Sequence, residues 1–292
     1  MNRSISSRPV SATSRRAALV TTLLGAITLT TALTSVFTPG LAHAASVQGS
    51  GNSATETRAL DAFEAVALGG AINLVVRQGA QQSVQVQADD NLLPMLETLV
   101  EPGRNGNTLK VRWKREGVSG GWGNSANSIQ TRSKVLITVV VPKLSAVAVA
   151  GSGDVRVESF STPSLQLSLS GSGDARLDSL TADELEVRVS GSGDVGGKGS
   201  AAKVKISIAG SGDVRGSGKA TKMKVSIAGS GNVKLLELKA DDVGVTIAGS
   251  GDAEVFAQKT LNISIAGSGD VAYAGDATVK STVAGSGSVK KR

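Results

Sequence analysis

Cysteine is absent from this 292-residue chain, and its one histidine, His43, lies near the N-terminus. The missing cysteine excludes a disulfide framework. Beyond residue 43 the chain has neither imidazole nor thiol. It therefore lacks the commonest general base, the thiol nucleophile and the usual zinc ligands. Aromatic residues are scarce: four Phe, two Trp and one Tyr, Tyr273. That leaves little material for the stacked subsites of a sugar-cleaving enzyme, and no nucleophile or cofactor motif is present. Acidic residues are missing from the first forty-odd positions, which instead carry Arg3, Arg8, Arg15 and Arg16.

Those arginines precede an apolar, Thr-rich run over 17–37, then Pro39 and the small-residue pattern Ala42-His43-Ala44. This is the order of a signal peptide, expected over 1–44 with cleavage after Ala44. The run is also about long enough for an uncleaved membrane anchor, which needs roughly 20 apolar residues; the small-residue pattern favours cleavage. Ser14-Arg15-Arg16 fits twin-arginine export and general secretion alike. The exported product is expected in the periplasm, on the cell surface or secreted. No cysteine follows the cleavage site and the chain closes on Lys290-Lys291-Arg292, so no lipid anchor or transmembrane segment is expected after cleavage. Removing four leader arginines from the net charge of +7 leaves about +3, too mild to indicate a nucleic-acid partner. Residues 45–57 are polar and are expected to form a flexible linker.

What the chain has in abundance is a repeat. Gly151-Ser152-Gly153-Asp154 recurs at 171–174, 191–194, 210–213, 229–232, 249–252, 267–270 and 285–288, at offsets of 20, 20, 19, 19, 20, 18 and 18 residues. An alternating apolar run precedes most copies, as in Leu165, Leu167 and Leu169, or Val204, Ile206 and Ile208. Period two with β-branched residues marks a strand with one buried face. A unit this short cannot hold a βαβ crossover or a propeller blade. It suits one coil of a solenoid, whose inward side chains are covered only when coils stack at about 4.8 Å. The predicted fold is all-β: a right-handed parallel β-helix (β-solenoid) with coils of about 18–20 residues and an irregular β-rich N-terminal cap. The handedness follows the strong preference of parallel crossovers. The division expected is 58–145 for the N-terminal part and 146–292 for the repeat.

The glycines of the motif are read as structural turns: Gly151, Gly153, Gly171, Gly173, Gly191, Gly193, Gly210, Gly212, Gly229, Gly231, Gly249, Gly251, Gly267 and Gly269. Glycine turns sharply without a Cβ clash, and Asp or Asn hydrogen-bonds nearby backbone. In the N-terminal third, Leu68-Gly69-Gly70-Ala71 reads as a degenerate turn, and residues 91–100, with Pro94, as a short helix or irregular strand.

One family resemblance emerges from these motifs taken in order. Ala62-Phe63-Glu64-Ala65-Val66, the run 70–79 (GAINLVVRQG), Leu109-Lys110-Val111, and 137–144 leading into Gly151-Ser152-Gly153-Asp154-Val155 resemble the head GIN domain of the putative auto-transporter adhesin family. The resemblance covers about residues 58–290. It implies a right-handed β-helix in an envelope or extracellular setting, and it supplies no catalytic residues. A C-terminal membrane barrel, which an auto-transporter needs, has no room in this sequence.

Three sets of side chains stand out as site candidates. Asp154, Asp174, Asp194, Asp213, Asp252 and Asp270 would stack at one corner, offering hard oxygen ligands to Ca²⁺. Asn232 and Ser288 at the same position are good turn formers and poorer calcium ligands, which favours a hydrogen-bonding role. Trp122, Trp113 and Arg115 belong to or border a polar loop and are ligand-binding candidates; a Trp there either stacks on a ligand or plugs the end of the core. Lys203, Lys205, Lys222 and Lys224 are expected on an outward strand face, a solvated surface or a patch for anionic polysaccharide. The sequence thus predicts a non-enzymatic, exported, adhesin-like binding protein without a cofactor, whose partners are carbohydrate or envelope components. The alternatives are a polysaccharide-active β-helical enzyme, with paired carboxylates, and a purely structural envelope protein. Oligomeric state stays open.

Overall fold

The computed structural model describes residues 46–104, 106–114 and 129–292. The expected signal peptide and the loop holding Arg115 and Trp122 lie outside the described residues. The chain forms a parallel β-solenoid in which an 18-stranded sheet runs through all coils. Strands Phe160–Gly171, Ala175–Gly191, Val195–Gly210, Val214–Gly229, Val233–Gly249 and Ala253–Gly267 each pair in parallel with the next, like over like.

The period-two pattern explains this stacking. Leu167, Val187, Ile206, Val225, Val245 and Ile263 form one inward column, and Leu169, Val189, Ile208, Ile227, Ile247 and Ile265 another. All are at most 4% exposed. Burying each such side chain contributes about 1.5–3 kcal/mol against the unfolded chain, which offsets the cost of ordering the backbone, roughly 1–2 kcal/mol per residue. A single coil has no partner for its inward face, so the gain arises only from stacking. The columns thin out in the last coil, where Ser281 follows Ile263 and Val283 is 40% exposed.

Each glycine corner is a close approach of backbones. Gly229 has φ +134°, and a Cβ built on it would fall against the carbonyl oxygen of Gly210 one coil below. That approach lets Ser230 N–H donate to Gly210 O at 2.9 Å, while Val214 N–H donates to Asn232 O at 2.8 Å. Every corner thus links two coils through main-chain bonds.

The N-terminal end departs from this regularity. The first coil consists of Ala65–Gly69 and Asn73–Gln78, paired to Ala146–Gly151 and Val155–Val157 above. Its corner is Gly70-Ala71-Ile72-Asn73, two residues on from the turn expected over 68–71: Gly70 N–H donates to Ala150 O, and Asn73 holds the Asp position. The chain then folds beneath this coil instead of continuing upward. Gly106–Trp113 pairs in parallel under Ala65–Gly69, and Leu136–Val141 under Asn73–Gln78. Beyond them the pairing turns antiparallel, with Leu96–Gly103 on one side and Ser83–Asp89, then Ser53–Arg58, on the other. Residues 93–95 form one 3-10 turn, with Pro94 in its first positions, and strand follows directly.

The expected flexible linker over 45–57 is corrected by this arrangement. Val47–Gln48 pairs with Ile129–Gln130, and Ser53–Arg58 is the outer strand on Ser83–Asp89. Its polar side chains are outward ones at a sheet edge, where polarity discourages further strand addition. Asp89, fully buried, holds the segment down: it accepts from the N–H groups of Gly51 at 3.0 Å, Arg132 at 2.9 Å and Ser133 at 3.2 Å.

Candidate functional site

The Asp column lies at the corner, and its geometry is a chain of inter-coil hydrogen bonds. Asp174 N–H donates to Asp154 Oδ1 at 3.0 Å, Asp194 N–H to Asp174 Oδ1 at 2.9 Å, and Asp213 N–H to Asp194 Oδ1 at 2.9 Å. Asn232, Asp252, Asp270 and Ser288 continue the series upward, and Asp154 N–H donates to Asn73 Oδ1 below. One oxygen per side chain is thereby committed to the fold. Among the described residues no three or more His, Cys, Asp or Glu side chains are grouped to hold a metal ion. At the top of the column, hydrogen bonds from the Ser288 hydroxyl and N–H hold the Asp270 carboxyl below its ordinary pKa.

Next to the corner runs a second column that repeat alignment exposes and that the sequence reading missed. Arg156, Arg176, Gly196, Arg215 and Lys234 occupy one outward position in successive coils. They line an open groove of about 1440 Å³ along the solenoid axis. Six acids and six bases line it, so its formal charge balances. Asp178 accepts from Arg156 Nε at 2.7 Å and from Arg176 Nε at 3.0 Å. The Arg156 contact is the main reason the Asp178 carboxyl lies below its usual range, and the same contact raises Arg156. Arg215 reaches Asp213 at 2.8 Å and Asp194 at 3.5 Å. Gly196 interrupts the column, and a Cβ built on it would meet nothing within 4 Å.

The strand face before the corner is polar and carries a shallow depression lined by Lys222, Lys224, Gly244, Thr246 and Asn262. Ser168, Arg188, Ser207, Ser226, Thr246, Ser264 and Thr282 form one outward column. Beside it Lys205 stacks on Lys224, and Lys203 on Lys222. Lys205 pairs with Glu186 at 2.6 Å; the other three lysines make no ion pair among the described residues. Trp113 is elsewhere, in the layer under the first corner: it is half-buried against the core, and its Cδ1 lies 3.6 Å from a Cβ built on Gly70. It does not meet the lysine face. Trp122 and Arg115 lie outside the described residues.

The arrangement offers long, regular, charged and hydroxylated surfaces and an axial groove. No helix among the described residues is long and apolar enough to cross a membrane. Similar solved structures share this architecture. A structure described as a putative lipid binding protein from Parabacteroides distasonis is 26% identical, covers 84% of this chain and 99% of its own, and has a TM-score of 0.78. A putative adhesin from Parabacteroides merdae is 22% identical over 85% of this chain and 100% of its own, with a TM-score of 0.75. A second P. distasonis protein, also described as a putative adhesin, is 22% identical over 84% and 99%, with a TM-score of 0.72. No curated protein sequence matches this chain. One family profile matches twice, over residues 62–217 and 199–277, as the self-similar coils allow. Together these two matches span most of the chain, which therefore belongs to the family described as putative auto-transporter adhesin, head GIN domain.

Proposed function

We propose that the chain is an exported, non-enzymatic binding protein of the cell envelope that engages surface molecules through its polar strand face. Residues 1–44 act as the cleaved export signal in this reading. One observation carries it: an outward column of mostly Ser and Thr runs from coil to coil without an inserted loop, with a block of four lysines beside it in two adjacent coils, so the face presents polar groups at every strand spacing. Such a face suits an extended or repetitive ligand, and the lysine block over 203–224 favours an anionic polysaccharide. The adhesin descriptions of its family and neighbours support surface binding, and the lipid binding description of one neighbour extends the ligand class to envelope amphiphiles.

The test is a glycan-binding array and isolated envelope fractions, with reducing-sugar release measured on every glycan bound. Binding without turnover is the expected result. Sugar release would instead establish a β-helical polysaccharide-active enzyme, and neither binding nor release would leave a structural role.

A further inference from the structure

Two coils in the middle of the solenoid break two further inward columns, those of Leu177 and Leu180. The position held by Leu177 is Gly197 and then Gly216 in the next two coils, before Leu235 restores a large side chain. The position held by Leu180 is likewise Gly199, then Gly218, then Leu238. Gly199 and Gly218 are demanded by the backbone, because a Cβ on either would strike the carbonyl of the coil below. Gly197 and Gly216 are not. The nearest atom to a Cβ on Gly197 is Leu177 Cβ at 3.3 Å, and to one on Gly216 the end of the Leu235 side chain at 2.9 Å. Neither has a positive φ. The missing side chains leave an apolar slot of about 50 Å³ between the two leucine pairs.

The surroundings of this slot are specific. Leu177, Leu180, Leu235 and Leu238 are each at most 8% exposed, whereas all four glycines are half-buried, so the slot opens on their side. Lys198, Arg215 and Lys219 stand at that opening. Lys198 and Lys219 are exposed and make no ion pair among the described residues. Of the basic residues over 195–232, Lys198, Arg215 and Lys219 line the slot, and Asp213, the single acid of that stretch, pairs with Arg215 at 2.8 Å. The slot and the axial groove share Leu177, Gly197, Lys198, Arg215, Gly216 and Ser217, so a molecule lying in the groove reaches the slot directly.

An apolar void in a core destabilises in proportion to its volume, and here the backbone would accept side chains that close it. An apolar volume of this size is too small for a ring, since cavities that bind benzene are about 150 Å³. We infer that the slot takes the alkyl end of an anionic amphiphile, whose carboxylate or phosphate lies in the groove against Arg215 and Lys198, with Lys219 beside the slot. This rests on the reading of the chain as a binding protein and adds a second, separate site to the strand face.

The experiment uses the full chain and sodium octanoate below its micelle concentration, followed by calorimetry and by methyl NMR. Octanol and octyltrimethylammonium serve as neutral and cationic controls. Saturable one-to-one binding is expected, with shifts centred on the methyls of Leu177, Leu180, Leu235 and Leu238. Gly216→Leu should weaken it at least tenfold without lowering Tm, and Lys198→Ala with Lys219→Ala should weaken octanoate several-fold but not octanol. Vesicles of phosphatidylglycerol, compared with phosphatidylcholine, give the source. Binding that Gly216→Leu abolishes assigns a bilayer lipid, and octanoate binding alone assigns a free amphiphile. Unsaturable binding, equal affinity for the cationic control, or an unchanged affinity in Gly216→Leu overturns the inference. If that variant fails to fold, Gly197→Ala and the wild-type shift map decide, and shifts away from the four leucines overturn it. Envelope binding that persists while octanoate fails removes the slot and leaves the strand-face reading standing.

Discussion

The backbone N–H of Asp213 donates to Oδ1 of Asp194 at 2.9 Å, across the boundary between two coils. The aspartate of each motif is thus an acceptor for the coil above it, and the same link recurs up the corner. Truncating one interior member removes an acceptor and leaves an N–H without its partner. Asp174→Ala should cost about 1–2 kcal/mol, read as a fall in Tm of roughly 2–4 °C per kcal/mol for a domain of this size. Asp174→Asn should be nearly neutral, because Asn232 already accepts from Asp252 N–H at 3.1 Å in the same column. Thermal melts of the three proteins, repeated with millimolar Ca²⁺, check both points. A calcium-dependent rise in Tm that Asp174→Asn removes would return the column to metal binding.

The corner glycines and the outward lysines should respond very differently to the same substitution. Gly229→Val places a side chain into the Gly210 carbonyl at a backbone angle that L-residues rarely adopt, and should abolish cooperative folding or cost more than about 4 kcal/mol. Lys224→Val, earlier in the same strand on the exposed face, should stay within about 0.5 kcal/mol. Urea denaturation of the pair measures the contrast.

Acid should loosen the N-terminal end through Asp89. Burial raises the pKa of its carboxyl, but N–H donors from Arg132, Ser133 and Gly51, with the Ser133 hydroxyl, outweigh that and bring it below the ordinary value. Because the folded value is the lower one, the stabilisation is complete above the unfolded pKa of about 3.9 and is lost as pH falls through the folded value. Wild-type Tm should therefore drop on acidification below about pH 4. Asp89→Asn should melt several degrees lower at neutral pH, and the gap should narrow in acid. Circular dichroism melts from pH 7 to pH 2.5 follow it.

The Arg156–Asp178–Arg176 cluster should matter less than its distances suggest. Arg156 and Arg176 are 56% and 73% exposed, so water and salt screen both pairs. Asp178→Ala should change stability by less than about 1 kcal/mol, and the change should shrink further in 0.5 M NaCl. Denaturation at two salt concentrations settles it.

The expected turn at 68–71 shows how local information succeeds and slips. Its glycines pointed to a corner, but the corner begins at Gly70, because Asn73 takes the Asp position and Ile72 replaces the second glycine. No coil of the regular kind lies beneath it, so the spacing rule that fixes the later corners does not apply. For the same reason 53–57 falls within the expected linker. A short polar strand carries no inward apolar column, and its place is set by pairing with Ser83–Asp89, thirty residues away in sequence. The Arg156, Arg176, Arg215 and Lys234 column was legible in principle from the repeat alignment, since each stands two residues after the corner acid or amide.

The sequence by itself determined the repeat length, the inward columns and the glycine corners. These are local patterns, and stacking merely multiplies one solution along an axis. Only the tertiary structure decided that Gly106–Trp113 and Leu136–Val141 fold beneath the first coil, that Asp89 ties two distant segments together, and that four glycines open an apolar slot beside a charged groove. Each of these depends on which surfaces meet across many residues of chain, and the energy of such meetings is carried by packing and hydrogen bonds that no single window of sequence contains.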